Sequence, residues 1–406
     1  MFRDGKVAAL LWCCACVFTI VVFIPRTNDA VQSLFLTYFQ PMLPLAFAVW
    51  LWGHNVQRFG ALSIDYGICF SAVDRKLLPS YGSIYRIALA LTTICLTCAA
   101  AFAVLSNAGL YAAADFAPVA MYFCSALLLV APVDVLSMPS RLFFGETLQR
   151  VLLPLQEVSW SDFLLADIMT SLSKSGGDLA KAAAAMMAGP TLHMLAARGN
   201  PAAGAHMPDP LALPVLCALC APYAIRLVQC LLVARATGNR SQLLNALKYA
   251  TAFPALLLTA AEHEYHVAGR PYPHFRWWLG ALALNSLYSF YWDLEMDWDM
   301  PWLVQPGARH FLRVVRLPAL KPDAFYRRGW YVWAVGSNLV LRLGWAHRLV
   351  GRLEARSEVA LGMALLEVFR RYQWTFIRVE TEIRKIRLKQ AHEHPVNGLK
   401  AGHEAE

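Results

Sequence analysis

Asn285 to Trp298 reads NSLYSFYWDLEMDW, an apolar and aromatic run that passes directly into Asp293, Glu295 and Asp297. The residues before it, Leu279 to Leu284, have the character of a membrane span. On a helix, Asn285, Ser289 and Asp293 recur at i, i+4 spacing and so place an amide, a hydroxyl and a carboxylate along one side. A carboxylate at membrane depth costs about 3 kcal/mol or more unless it meets water or a cation, so its presence there points to a functional position. The alternative is that Asp293 and Asp297 lie past the helix end, solvated under an interfacial Trp and Tyr belt.

Working outward, the composition sets the class. The 406 residues are 58% hydrophobic and 16% charged, where a soluble chain would be nearer a quarter charged, which gives a polytopic all-α membrane protein. The net charge of +9 reads as Lys and Arg in cytosolic loops. No basic run with interleaved aromatics marks a nucleic-acid partner. Of ten cysteines, Cys13, Cys14, Cys16, Cys95, Cys98, Cys124, Cys217 and Cys220 lie in apolar runs and read as packing or lipid-facing residues. The C-x-x-C pairs lack nearby histidines, and Glu262 to His266, assigned to a short loop, lacks zincin spacing, so no metal or other cofactor is expected. Neither a nucleophile and base pair nor a metal set is visible, so no enzyme is expected.

Four apolar segments fill the first 150 residues: Val7 to Ile24, Leu34 to Trp52, Ile84 to Leu105 and Pro118 to Leu136, with Pro41 and Pro44 kinking the second. Val7 to Ile24 has no small-x-small cleavage site after it and reads as a retained helix. Residues 151–386 hold further segments at Trp160 to Leu172, Leu213 to Val233, Leu243 to Ala261, Trp277 to Leu294, Trp330 to Trp345 and Val359 to Ile377. Residues 387–406 form a polar tail, and 175–210 is an Ala, Gly and Pro-rich connector with a short helix at Leu179 to Met187. About ten spans, with positive loops inside, put both termini in the cytosol.

The first four segments carry few charges, as suits a scaffold, whereas nearly every later one contains an ionisable residue. Glu367, Arg370 and Arg371 share a helical face. Arg342 lies deep in its segment, with Trp345 beyond it. Lys248 and Tyr249, Arg226 and Gln229, and Asp167 fall in other segments. Such a set can replace the hydration shell of a small oxyanion, with carboxylates holding the arginines in place, or it can serve only as interhelical ion pairs.

NSLYSFYWDLEMDW, LRLGW at Leu341 to Trp345 and EVFRRYQWTFIRVETE at Glu367 to Glu382 together resemble the EXS domain of eukaryotic phosphate exporters and a related Golgi protein. NALKYA at Asn245 to Ala250, FLLADIMTSLSK at Phe163 to Lys174 and PYAIRLVQC at Pro222 to Cys230 resemble its other motifs. The likeness covers Ser159 to Glu382, and more weakly GHNVQRFGALSIDYGICF at Gly53 to Phe70. It implies a six-helix phosphate pathway in residues 151–386 and a homodimer supported by the four-helix scaffold of residues 1–150. By motif, Lys248, Tyr249, Arg342, Arg370 and Arg371 would hold phosphate. Asp167, Thr170, Asp293, Glu367 and Asn285 would be acidic and polar members of the pathway, and Trp345 its gate. Thr170 stands where exporters usually carry an Asn, and its hydroxyl can still donate.

Only about six residues precede the first span, so the chain resembles the short, Golgi-type branch that lacks the inositol-pyrophosphate-sensing SPX domain. The resemblance then implies return of luminal phosphate to the cytosol from the Golgi, with the plasma membrane or another endomembrane as the alternative site. The alternative function is a sorting or retention factor whose basic segments, Arg309 to Arg328 and Arg384 to Lys389, bind glycosyltransferase tails.

Overall fold

The computed structural model describes residues 2–130, 138–153, 157–187, 213–300, 324–350 and 357–401. Among them there is no strand. The N-terminal part comprises α1 (Phe2–Phe23), α2 (Asp29–Phe39), α3 (Met42–Ala61), α4 (Ala72–Leu77), α5 (Tyr81–Asn107), α6 (Tyr111–Ala114), α7 (Phe116–Val130) and α8 (Met138–Leu152). Asn28 starts α2 by accepting the Val31 amide at 2.8 Å. Pro41 caps α3, and Pro44 sits in its first turn, where a missing N–H is harmless. The expected kink is therefore a break between α2 and α3. Helix α5 is the axis of this part, flanked by α1, α3 and α7. Its Phe102 closes a core with Val31, Leu34, Tyr38, Phe39 and Met121.

The C-terminal part comprises α9 (Trp160–Ser171), α10 (Ser173–Met187), α11 (Leu213–Thr237), α12 (Ser241–Ala250), α13 (Ala252–Val267), α14 (Phe275–Trp292), α15 (Arg328–Arg342) and α16 (Ser357–Ala401). Expected segments correspond to these helices, with informative differences. The segment at Leu243 to Ala261 is split at Thr251 into α12 and α13. Helix α9 turns at Leu172 into α10, which is longer than the short helix expected in the connector; the rest of that connector lies outside the described residues. Glu262 to His266 belongs to the last turns of α13, not to a loop. Arg342 ends α15 instead of lying deep within a helix, because Gly344 to Val350 tighten into 3-10 turns. Glycine at 177 lets α10 lie against α11, since a Cβ there would stand 2.8 Å from Leu219 Cγ.

Six described helical stretches are long and apolar enough to cross a membrane: Val7–Arg26, Asp29–Ala61, Tyr81–Asn107, Tyr111–Leu128, Leu213–Thr237 and Ser241–His266. The two parts meet along α3 and α16, where Tyr372 Oη and His54 Nδ1 are 2.7 Å apart.

Candidate functional site

Three irregularities in the helices position the charged side chains. Helix α9 opens with a capping box in which Ser159 and Asp162 satisfy each other's backbone amides. Asp162 is also held by Arg150 Nε at 2.7 Å. The helix breaks at Leu172, one turn after Asp167, and α12 breaks at Thr251, just after Lys248 and Tyr249. Helix breaks inside a membrane persist where hydroxyls take up the freed carbonyls. Here Thr170 Oγ1 donates to the Asp167 carbonyl and Thr251 Oγ1 to the Lys248 carbonyl, each at 2.7 Å. Ser173 Oγ donates to the Leu219 carbonyl at 2.6 Å. At the end of α14, Asp293 to Asp297 form a π-helical turn, a widening that recurs at functional sites. Asp293 is 1% exposed there, so the solvated alternative fails.

Two carboxylates anchor the arrangement. Asp167 receives Arg371 Nη1 on Oδ2 and, on Oδ1, the Tyr249 hydroxyl at 2.5 Å and Arg226 Nε at 3.3 Å. Arg226 also donates to the Tyr249 oxygen at 3.1 Å and to Gln229 Oε1 at 2.5 Å, and its guanidinium lies over the Phe163 and Tyr249 rings. Asp293 Oδ2 receives Arg342 Nη2 at 2.7 Å, Asn338 Nδ2 at 3.1 Å and Arg370 Nη1 at 3.4 Å. A third carboxylate, Glu367, binds Arg370 in the bidentate manner, at 2.6 and 2.9 Å. Ser171 ties the two anchors together, donating to Glu367 Oε1 at 2.8 Å and accepting from Arg371 Nε at 3.1 Å.

Lys248 completes the set from α12. Its ammonium has no carboxylate within 4 Å among the described residues and rests instead over the rings of Tyr249 at 4.4 Å and Trp292 at 5.4 Å. It interacts at longer range with Asp297, Asp167 and Asp293. Arg226, Lys248, Arg342, Arg370 and Arg371 thus face Asp167, Asp293, Glu367 and, shared with Arg378, Asp297, so that cations outnumber carboxylates. Such an excess in a desolvated bundle is stable when a small anion balances it.

The network borders open space at Glu367. A cavity of about 300 Å³ borders it, lined by Tyr223, Asn285, Ser286, Leu341, Trp345 and Glu367 among others. Trp345 Nε1 donates to Ser286 Oγ at 2.9 Å, fixing the indole in this wall. Asn285 stands apart from the ion pairs: it lines the cavity and donates to Thr251 Oγ1 at 3.1 Å. On the other side aromatics fill the bundle. Trp374 is fully buried beneath the Arg371 guanidinium, 4.4 Å away, and donates to Asp297 Oδ2 at 3.2 Å. Arg378 covers Trp160 and Phe163 and reaches Asp297 at 3.7 Å.

The residues assigned from sequence therefore come together, apart from Asn285 and Trp345, which belong to the cavity wall. Sequence reasoning omitted Asn338, Ser171 and Tyr223 from the set and counted Arg226 without placing it. Asn338 had a signal, standing one helical turn before Arg342. Ser171 and Tyr223 had none beyond their motifs. Among the described residues no group of His, Cys, Asp and Glu is arranged to hold a metal ion.

Residues 35–384 match the EXS family. The chain belongs to that family. It is 30% identical over 350 residues to SPX and EXS domain-containing protein 1 of Dictyostelium discoideum, covering 82% of this chain and 35% of that protein. It is 31% identical over 242 residues to Protein ERD1 homolog 1 of Schizosaccharomyces pombe, covering 56% of this chain and 58% of that one. Solute carrier family 53 member 1 of Mus musculus is 27% identical over 381 residues, which are 89% of this chain and 52% of the mouse protein. The matches thus span from about a third to somewhat over half the length of these relatives. Membership of the EXS family and the apolar helices make this chain an integral membrane protein.

Proposed function

We propose that this EXS-family protein moves inorganic phosphate across its membrane through the site between α9, α11, α12, α14, α15 and α16. The single observation that carries this reading is the convergence of these cations on fewer carboxylates beside an open cavity. Arginine forks suit a tetrahedral oxyanion, and Lys248, the one cation of the set without a carboxylate within 4 Å among the described residues, can bind it without giving up an ion pair. Phosphate entering there takes the place of carboxylate contacts on Arg342, Arg370 and Arg371. Tyr249 positions Asp167, and Trp345 controls access from the cavity. The pathway needs no cofactor and performs no bond chemistry.

The likeness to a solute carrier supports transport, and the likeness to ERD1 homologues supports the Golgi as the compartment. On this reading the protein has ten spans with cytosolic termini, and it returns luminal phosphate to the cytosol. Helix α1 is the proposed homodimer contact, since Leu10, Leu11, Trp12 and Phe18 on it are exposed. The alternative, a sorting factor for glycosyltransferase tails, draws less support. Of the basic segment at Arg384 to Lys389, Arg384 is paired with Glu380 at 3.2 Å and Arg387 covers Phe325; most of Arg309 to Arg328 lies outside the described residues.

The test is uptake of labelled phosphate by liposomes containing the purified protein. Wild type should pass phosphate, and Arg371→Ala and Arg342→Ala should reduce flux to that of empty vesicles. Normal transport by both variants removes the mechanism.

A further inference from the structure

Of the carboxylates Asp167, Asp293 and Glu367, only the last reaches the cavity. Its side chain is 36% exposed, against 1% for Asp293 and 2% for Asp167, and it alone of the three lines the cavity wall. No Lys or Arg is in that wall among the described residues; the other polar groups are hydroxyls of Tyr223, Thr259 and Ser286, the Asn285 amide and the Trp345 indole. An anion in the cavity therefore meets a carboxylate before it meets Arg370 and Arg342 behind it. A carboxylate offers about four lone-pair positions. Among the described residues, Oε1 accepts from Arg370 Nη2 and Ser171 Oγ, whereas Oε2 accepts only from Arg370 Nε. One acceptor position on Oε2 is left for the passenger.

We propose that Glu367 is the specificity-determining residue of this site: it admits oxyanions that carry a proton and rejects those that are fully ionised. The inference rests on the transport reading above. Phosphate at neutral pH retains at least one P–OH, which donates to Oε2 while its other oxygens face the guanidiniums. Sulfate has the same shape and charge as hydrogen phosphate but no hydrogen to donate, so it sets an oxygen lone pair against the carboxylate. A polar group left unpaired against the bound anion in this way is what gives large discrimination between isosteres. Arsenate, which keeps its protons as phosphate does, belongs with the accepted class.

The experiment compares labelled phosphate and labelled sulfate flux at neutral pH in liposomes holding the full chain, as wild type and as Glu367→Gln. Glutamine keeps the length of the side chain but can turn an N–H toward the cavity. The phosphate-to-sulfate ratio should fall by roughly tenfold or more in the variant. An unchanged ratio overturns the proposal. Competition on wild type decides the matter if the variant fails to assemble. Arsenate should compete as phosphate does, and monofluorophosphate, a dianion of similar size without a P–OH, should compete about tenfold more weakly or worse. Equal competition by monofluorophosphate overturns the assignment of Glu367 while leaving phosphate transport standing. A wild type that passes no phosphate at all removes the transport reading, and this inference with it.

Discussion

The two halves of the chain differ in what their helix contacts add to apolar packing. Around α5, the contacts are Phe35, Phe39 and Phe102 rings packed at centroid distances of 5.1 to 5.9 Å, with Val31, Leu34 and small alanines filling between them. Around α16, the buried groups include Arg370, Arg371, Gln373 and Glu380 beside the apolar Trp374, Phe376, Ile377 and Ile383. Apolar packing needs no partner of matching charge and can be repacked, whereas Arg226, Arg342, Arg370 and Arg371 each depend on a particular carboxylate from another element. The first arrangement suits a support. The second is costly unless the charges do something besides hold helices together.

Mutations should separate the two. The largest effect is expected for Arg371→Ala, which leaves Asp167 with one fewer cation and releases Ser171 and Thr170. Breaking a buried pair costs about 3–5 kcal/mol, and phosphate flux should vanish even in the fraction that remains folded. Phe102→Ala should cost about as much stability, 3–5 kcal/mol by loss of a buried ring. Its flux per folded molecule should nevertheless match wild type, measured by thermal unfolding in detergent alongside liposome uptake. A loss of specific flux in that variant would mean that the scaffold shares in the chemistry.

Tyr249→Phe should have an intermediate effect. It removes the hydroxyl that donates to Asp167 and accepts from Arg226, leaving both under-satisfied at about 1–3 kcal/mol. Flux should fall several-fold without disappearing, and comparison of the initial rates would show it. The smallest effect is expected for Ser286→Ala, which frees the Trp345 indole from its wall. A hydrogen bond of this kind contributes about 0.5–1.5 kcal/mol, so flux should rise by a factor of roughly two to ten if Trp345 restricts access. A fall would assign the pair a supporting role instead.

Much of this contrast was legible before any coordinates. Apolar length placed the four N-terminal segments, and the cost of charge in lipid singled out Asp167, Lys248, Arg342, Arg370 and Arg371 as a set. What stayed hidden were the departures from regular helix. The 3.6-residue period predicts an unbroken Leu243 to Ala261 and cannot see the break at Thr251, because the Thr251 hydroxyl that caps the Lys248 carbonyl also fits a helix interior. The π turn at Asp293 likewise has no period of its own, and Asn285, some two helical turns before it, donates to Thr251 and does not join the ion pairs. Ser171 was unreadable for another reason: a serine becomes a bridge only when Glu367 and Arg371 arrive from a helix some two hundred residues later.

The central claim is that these charges encircle an anion. Its most direct test is a pair of cryo-electron microscopy maps of the protein in membrane discs, with and without inorganic phosphate. The account predicts tetrahedral density that appears only with phosphate, in contact with Lys248 Nζ and with guanidinium groups of Arg342, Arg370 or Arg371. Maps in which transport-competent protein shows phosphate elsewhere in the bundle, with every one of these ion pairs unchanged, would contradict it.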